Sequence, residues 1–338
     1  MFQLDKNDRQ ILYQLDLDAR QPNSSIARRV RVSKEVVGYR IRRMQEEGAI
    51  EGFYVLVDMT RLGYKNGRIF FKFSGMDPAG EQEVVSVFKS HPNAWWVNTM
   101  SGSFSDMGIA FWVKDVREFH ELKQWILDRY LGRIEFIKDS FYSKIRIWRR
   151  HYLVPGSRAH APVQAETPSV IEGSGPVAAY DSHDLEILSL LTENARMPIV
   201  EIASRAGMSP TAAGRRIRSM KENCIILGFR PKIDLSKIGY YWYKVEFSLK
   251  DNSAKKQMVE YFAAHPNVVY SYESIGGAAD IEIELEVEGY EQFRKIIDGI
   301  RARFRDAIRA YVYYIWSKEH KLVYFPGREF LESAIKLE

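Results

Sequence analysis

Cysteine is almost missing from this chain. Cys224 is the only one in 338 residues, so neither an intrachain disulfide framework nor a Cys-x-x-Cys metal knuckle can form, and the composition fits a reducing cytoplasm. Long apolar runs are missing as well. No stretch approaches the roughly 18 uninterrupted apolar residues of a membrane span. The first residues, MFQLDKNDRQ, contain no apolar signal core, so neither secretion nor membrane insertion is expected. The seven histidines do not fall at metal-ligand spacings, and no P-loop, Ser/His/Asp order or paired-carboxylate arrangement recurs. These absences call for no cofactor and no metal, and predict that the chain is not an enzyme. Net charge decides little, because +5 does not separate a nucleic-acid binder from an ordinary basic protein.

What the chain does have is repetition. Residues 11–64 laid over 187–240 without a gap give 22 identical positions of 54, and the match resumes at His91-Pro92-Asn93 and His265-Pro266-Asn267. The strongest echo pairs SKEVVGYRIRRM (Ser33 to Met44) with SPTAAGRRIRSM (Ser209 to Met220). Each opens with a serine able to cap a helix, and the second places Pro210 in the first turn. Val37, Ile41 and Met44, and likewise Ala213, Ile217 and Met220, form one apolar stripe that leaves the arginines on the remaining surface. Two shorter helices precede each of these, so the chain carries two helix-turn-helix units, each followed by a strand that reads as a small wing.

An arginine-bearing third helix in that setting points to double-stranded DNA. The candidate contacts are Ser33, Lys34, Glu35, Gly38, Tyr39, Arg42 and Arg43 in the first unit, and Ser209, Thr211, Ala212, Gly214, Arg215 and Arg218 in the second. Because the two sets differ, the two units should prefer different half-sites, giving an asymmetric operator. Arg40 and Arg216 have a competing structural role, bonding acids of the first helices such as Asp8 and Asp184. Arg20 and Arg196 either touch phosphates or cap carbonyls. His91 and His265 read as capping residues of matching turns, and Trp95, Trp96 and the aromatics from Tyr311 to Trp316 as core and pairing surface.

After each helix-turn-helix the hydrophobic period changes to strand, helix, strand, strand, helix, strand, the order of a ferredoxin-like α+β sandwich. The boundaries expected are 1–64 and 65–153 for the first helix-turn-helix and sandwich, 154–179 for a Pro/Gly/Ser-rich linker, 180–240 and 241–327 for the second pair, and 328–338 for a tail.

The run of capped Asp helix, Ala-Arg-x-Pro turn, Ile-Ala, Arg-Ile-Arg-x-Met, then Ile-x-Gly-Phe, Asp and Leu/Ile-Gly-Tyr resembles the Lrp/AsnC, or feast/famine, family of prokaryotic transcription regulators. The resemblance covers nearly the whole chain, twice over. It implies a cytoplasmic DNA-binding regulator whose sensing (RAM) domains pair through their sheets and bind an amino acid or related metabolite. Residues matching that family's ligand turn are Gly276, Gly277 and Asp280 in the second half, with Gly102, Ser103 and Asp106 at the first half's equivalent, where the glycine is displaced by one place. Family members usually carry one unit and dimerise, so an intrachain pseudo-dimer is expected here, with homo-oligomers left open. Two alternatives stand beside this reading: a metabolite-sensing or interaction scaffold without DNA, and an enzyme similar to the siroheme decarboxylases, which share the fold. The Phe-Pro and Arg-Pro signatures of those enzymes are not seen after the first helix.

Overall fold

The structure, a computed structural model, describes residues 2–102, 105–154, 168–173, 175–277, 279–327 and 330. The first half begins with α1 (Lys6–Leu17), whose cap is reciprocal: Asp5 accepts the Asp8 amide at 2.8 Å while Asp8 accepts the Asp5 amide at 3.2 Å. α2 (Asn23–Val30) ends at Arg31, which takes a left-handed φ of 63°, and α3 (Lys34–Glu46) starts from the Ser33 cap. Ile11, Leu12, Leu15, Ile26, Val37, Ile41 and Met44 close the core of this three-helix unit. β1 (Ile50–Val57) leaves it, and the sandwich follows as β2 (Lys65–Phe73), α4 (Pro78–Ser90), β3 (Ala94–Ser101), β4 (Met107–Val113), α5 (Val116–Arg129) and β5 (Ile134–Ile147).

In the stretch whose composition predicts only a linker, Ser169–Glu172 forms a short strand, β6, on the outer part of β5. The second half then repeats the first as α6 (Ser182–Glu193), α7 (Ile199–Arg205), α8 (Pro210–Glu222), β7 (Ile226–Ile233), β8 (Tyr241–Leu249), α9 (Lys255–Ala264), β9 (Val268–Ile275), β10 (Ile281–Val287), α10 (Tyr290–Arg303) and β11 (Ile308–Leu322).

The halves are joined strand to strand. β1 and β7 form an antiparallel pair of their own, so the strand leaving each helix-turn-helix pairs with its twin from the other half. Arg20 donates to the Ala195 carbonyl at 2.6 Å and Arg196 to the Ala19 carbonyl at 2.7 Å. The carbonyl-capping alternative therefore holds for both arginines, and it ties one unit to the other. The remaining strands run β2-β4-β3-β11-β8-β10-β9-β5, and β5 returns to pair with β2, closing the ring. β5 and β11 make the closure by exchange: the first part of each pairs inside its own half, and the rest crosses to β9 or β3 of the other.

The outer faces of the two sheets pack against their own helices, with Phe71, Phe88, Phe111 and Leu122 in one half and Phe247, Phe262, Leu285 and Phe293 in the other. The inner faces meet, and there the duplicated halves have diverged in charge. The first half supplies Arg68, Lys138 and Arg150; the second supplies Glu282, Glu246 and Glu286, and these pair across the junction. At the positions twinned with Glu246, Glu282, Glu284 and Glu286 the first half has Phe70, Gly108, Ala110 and Trp112. Arg68, only 2% exposed, donates to Glu282, to Ser140 at 2.6 Å, to Ser274 at 2.9 Å and to Tyr142 at 3.1 Å. Lys244 adds Glu282 at 2.8 Å and Glu284 at 3.4 Å. Such pairs contribute little net stability but cost several kcal/mol when one partner is removed, so they dictate which surfaces pair.

Candidate nucleic-acid interface

Each third helix is divided by its own side chains into an inward part and an outward ridge. On α3, Val37, Ile41 and Met44 are buried, and Arg40 reaches back to Asp5 at 2.7 Å and Asp8 at 2.8 Å. On α8, Arg216 does the same with Asp181 and Asp184, both at 2.9 Å. These two arginines fasten the third helix to the first. Arg43, a candidate contact by sequence, is also engaged with the first helix. It binds Asp8 at 2.8 Å, lies over the Phe2 ring at 5.0 Å and is only partly exposed, because three residues after Arg40 it shares the face that meets α1. Ser33 and Ser209 act as caps, accepting the Val36 and Ala212 amides at 3.2 Å each.

What remains outside is the ridge. Lys34, Glu35, Tyr39 and Arg42 are exposed on α3, as are Thr211, Arg215 and Arg218 on α8, with Ala212 partly covered. Among the described residues, Lys34, Arg42, Arg215 and Arg218 form no ion pair. The units differ around this ridge. Arg28, Arg31 and Lys34 are exposed in the first, where the second has Ser204, Gly207 and Pro210 at the matching positions.

The middle of both helices holds a glycine. A Cβ added at Gly214 would meet nothing within 4 Å, and one at Gly38 only side-chain tips, from 3.5 Å. Neither residue is required by the packing, although glycine inside a helix costs up to about 1 kcal/mol relative to alanine.

The ligand-turn residues fare less uniformly. Asp106 accepts the Phe73 amide at 2.9 Å and Asp280 the Leu249 amide at 2.6 Å, so both carboxylates are engaged by neighbouring strand ends. Gly102 and Gly276 instead permit a close approach. A Cβ at Gly102 would stand 3.4 Å from that of Tyr314, and one at Gly276 would stand 3.2 Å from the Asp139 carbonyl. Ser103 lies outside the described residues. Gly277 does line a cavity of about 400 Å³, together with Lys138, Glu246, Ala310, Tyr311 and Tyr314. Lys138 and Glu246 among these were missed by sequence reading. Each is one polar position in an alternating strand, and nothing local shows that the alternate face meets another sheet.

His91 and His265 cap their turns as expected, accepting the Asn93 and Asn267 amides through Nδ1 at 3.2 Å. Burial pushes both imidazoles down to about 4. Trp95 stacks on Trp112 at 5.1 Å, and Trp96 meets Trp316 edge-on at 4.7 Å, which places these aromatics in the core. Among the described residues no group of three His, Cys, Asp or Glu could hold a metal ion, and no helix is long and apolar enough to cross a membrane.

Residues 181–221 match the AsnC-type helix-turn-helix domain, and residues 4–51 a winged helix-turn-helix DNA-binding family. The chain is 30% identical over 149 residues to the uncharacterized HTH-type transcriptional regulator PH0140 of Pyrococcus horikoshii, covering 43% of this chain and 90% of that protein. A proline dehydrogenase transcriptional activator of Rhodobacter capsulatus is 28% identical over 120 residues, 35% of this chain and 77% of its own length. Among solved structures, the siroheme decarboxylase NirDL superposes on 97% of this chain and 96% of its own, with a TM-score of 0.60 and 16% identity. A second structure of that enzyme, in complex with an iron-uroporphyrin III analogue, matches with the same score. This finding overturns the expectation that the chain is no enzyme: the two-unit architecture, end to end, is one that a decarboxylase also uses.

Proposed function

The chain belongs to the Lrp/AsnC family of transcription regulators, and from that premise we propose that α3 and α8 read two unlike half-sites of one asymmetric DNA operator. The observation that carries this reading is the sorting of arginines on both helices. Arg40, Arg43 and Arg216 are held by acids of α1 and α6, whereas Lys34, Arg42, Arg215 and Arg218 form no ion pair among the described residues. A ridge of unpaired cations on the third helix of a helix-turn-helix suits phosphate and base-edge contact in the major groove. The glycine at the centre of each ridge lets another surface come close to the helix backbone.

The asymmetry follows from residues 28, 31 and 34, cationic in the first unit and Ser, Gly and Pro in the second. Extra phosphate contacts therefore fall on the first half-site. Sequence selection on random duplexes with the full chain tests this. The expected result is a two-part site whose halves differ. Arg42→Ala should relax specificity at one half and Arg218→Ala at the other, each with a loss of about 1–3 kcal/mol in affinity. A palindromic site, or selected sequences unaffected by either substitution, overturns the reading.

An amino acid or related metabolite is the effector this reading assigns to the 400 Å³ cavity beside Gly277, which is lined by the Lys138–Glu246 ion pair and Tyr314. A second reading, catalysis on a tetrapyrrole, is supported by the end-to-end likeness to NirDL. Its test is separate: titration with an iron porphyrin, followed by visible absorption and by loss of carbon dioxide.

A further inference from the structure

The internal two-fold relation between the halves exposes one place where they are not equivalent. In the first half β6 pairs antiparallel with β5, placing Glu172 opposite Lys144 and Ile171 opposite Ile145. Lys144 and Glu172 form an ion pair at 2.8 Å, and Ile171 is 1% exposed. The Ser169 hydroxyl reaches the Leu227 carbonyl of β7, and beyond β6 the Ala178 amide donates to the Arg61 carbonyl at 2.8 Å. This segment therefore occupies a slot between β5, β7 and the turn at Arg61 to Gly63.

The second half has the same slot. Across the exchanged sheets Lys318 pairs with Thr99 as Lys144 pairs with Glu273, and Glu319 with Asn98 as Ile145 with Tyr272, so Lys318 and Glu319 are the twins of Lys144 and Ile145. Glu51 of β1 is the twin of Leu227, and Gly239 of Gly63. Glu51, Lys318, Glu319 and Gly239 all line one groove of about 510 Å³, walled by Trp242 and Trp316. β11 pairs with β8 only as far as Trp316, so from Ser317 to Leu322 no strand among the described residues pairs with its outer edge. An unpaired strand edge presents a ready row of backbone donors and acceptors.

We propose that this groove accepts an extended segment of a partner protein, added antiparallel to β11 as β6 is added to β5, and carrying a basic residue followed directly by an acidic one. Strand addition fits because the twin slot is filled by a strand, and main-chain pairing supplies affinity while alternate side chains supply selectivity. The charge pattern is read from the twins. The segment's acid stands opposite Lys318, in the place of Glu172. Its basic residue stands inward, in the place of Ile171, but opposite Glu319 instead of an isoleucine. Burial pushes the Glu319 carboxyl up to about 7, so a cation beside it would lower it again. The inward exchange of isoleucine for glutamate also prevents β6 itself from suiting this slot.

Random decapeptides displayed on phage and selected on the full chain test the proposal. Enriched peptides are expected to share an adjacent basic-acidic pair. A synthetic copy should slow exchange of those amides between Ser317 and Lys321 that face away from β3, and Lys318→Glu, at an exposed position, should weaken binding tenfold or more. Exchanging the peptide's acid for lysine should restore binding to that variant. Any of four results overturns the proposal: no enrichment, enrichment without the pair, protection confined to other strands, or protection, before peptide is added, of those amides between Ser317 and Lys321 that face away from β3.

Discussion

Gly214 and Gly38 join folding to function at single positions. Alanine at 214 has space and removes backbone freedom from the unfolded chain, so Gly214→Ala should raise stability by about 0.5–1 kcal/mol in chemical denaturation. The same methyl group would stand between α8 and a DNA surface, so affinity for the selected operator should fall. A variant both more stable and as tight-binding as the parent would show that the glycine does not serve DNA contact. The buried histidines give a second residue-scale expectation. His91 and His265 titrate near 4 in the fold against about 6.5 in an unfolded chain. A depressed folded value means that the unfolded chain takes up protons first as pH falls. The contribution of each neutral imidazole is present above 6.5 and lost between 6.5 and 4, on the order of 3 kcal/mol apiece. The stability of the parent relative to His91→Gln should therefore decline across that window, and an unchanged difference would contradict the assignment.

At the scale of elements, the inner-face pairs decide which sheet meets which. Glu282→Ala leaves Arg68 and Lys244 buried without their shared carboxylate, and a loss of about 3–5 kcal/mol is expected from thermal or denaturant unfolding. Arg68→Met with Glu282→Met should recover most of it. The helices of both helix-turn-helix units were legible in the sequence because their signals are local: a serine cap, an apolar stripe at helical spacing, and a second copy confirming the first. Arg40 and Arg216 were legible as an alternative because Asp8 and Asp184 recur with them. The destination of Glu282, Glu284 and Glu286 was not legible. They alternate with Ile281, Ile283 and Leu285 in a pattern that reads as one face in water, and only pairing with the other half reveals that both faces are buried. β6 escaped for a related reason, since four residues in a Pro/Gly/Ser-rich stretch gain their strand character from the β5 edge they join.

Over the whole molecule, duplication followed by charge divergence turns what would be a symmetric dimer into one chain with unlike halves. Arg68, Lys138 and Arg150 on one side and Glu246, Glu282 and Glu286 on the other make the halves complementary to each other and not to themselves. Residues 1–173 and 176–338 produced together as separate chains should copurify one to one, and neither alone should form a stable pair; homodimers of either half would refute this. The same divergence reaches the helix-turn-helix units, where the first carries the denser cationic surface.

The central claim is that both ridges engage DNA at once, and the salt dependence of binding measures it most directly. With Arg28, Arg31, Lys34 and Arg215 each neutralising a phosphate, and Arg42 and Arg218 on base edges, the logarithm of affinity for the selected operator should fall against the logarithm of salt with a slope of about −4. Removing Arg215 and Arg218 together should make that slope shallower by about one and relax specificity at the second half-site. A slope near zero, or one unchanged by the loss of the second ridge, would contradict the account.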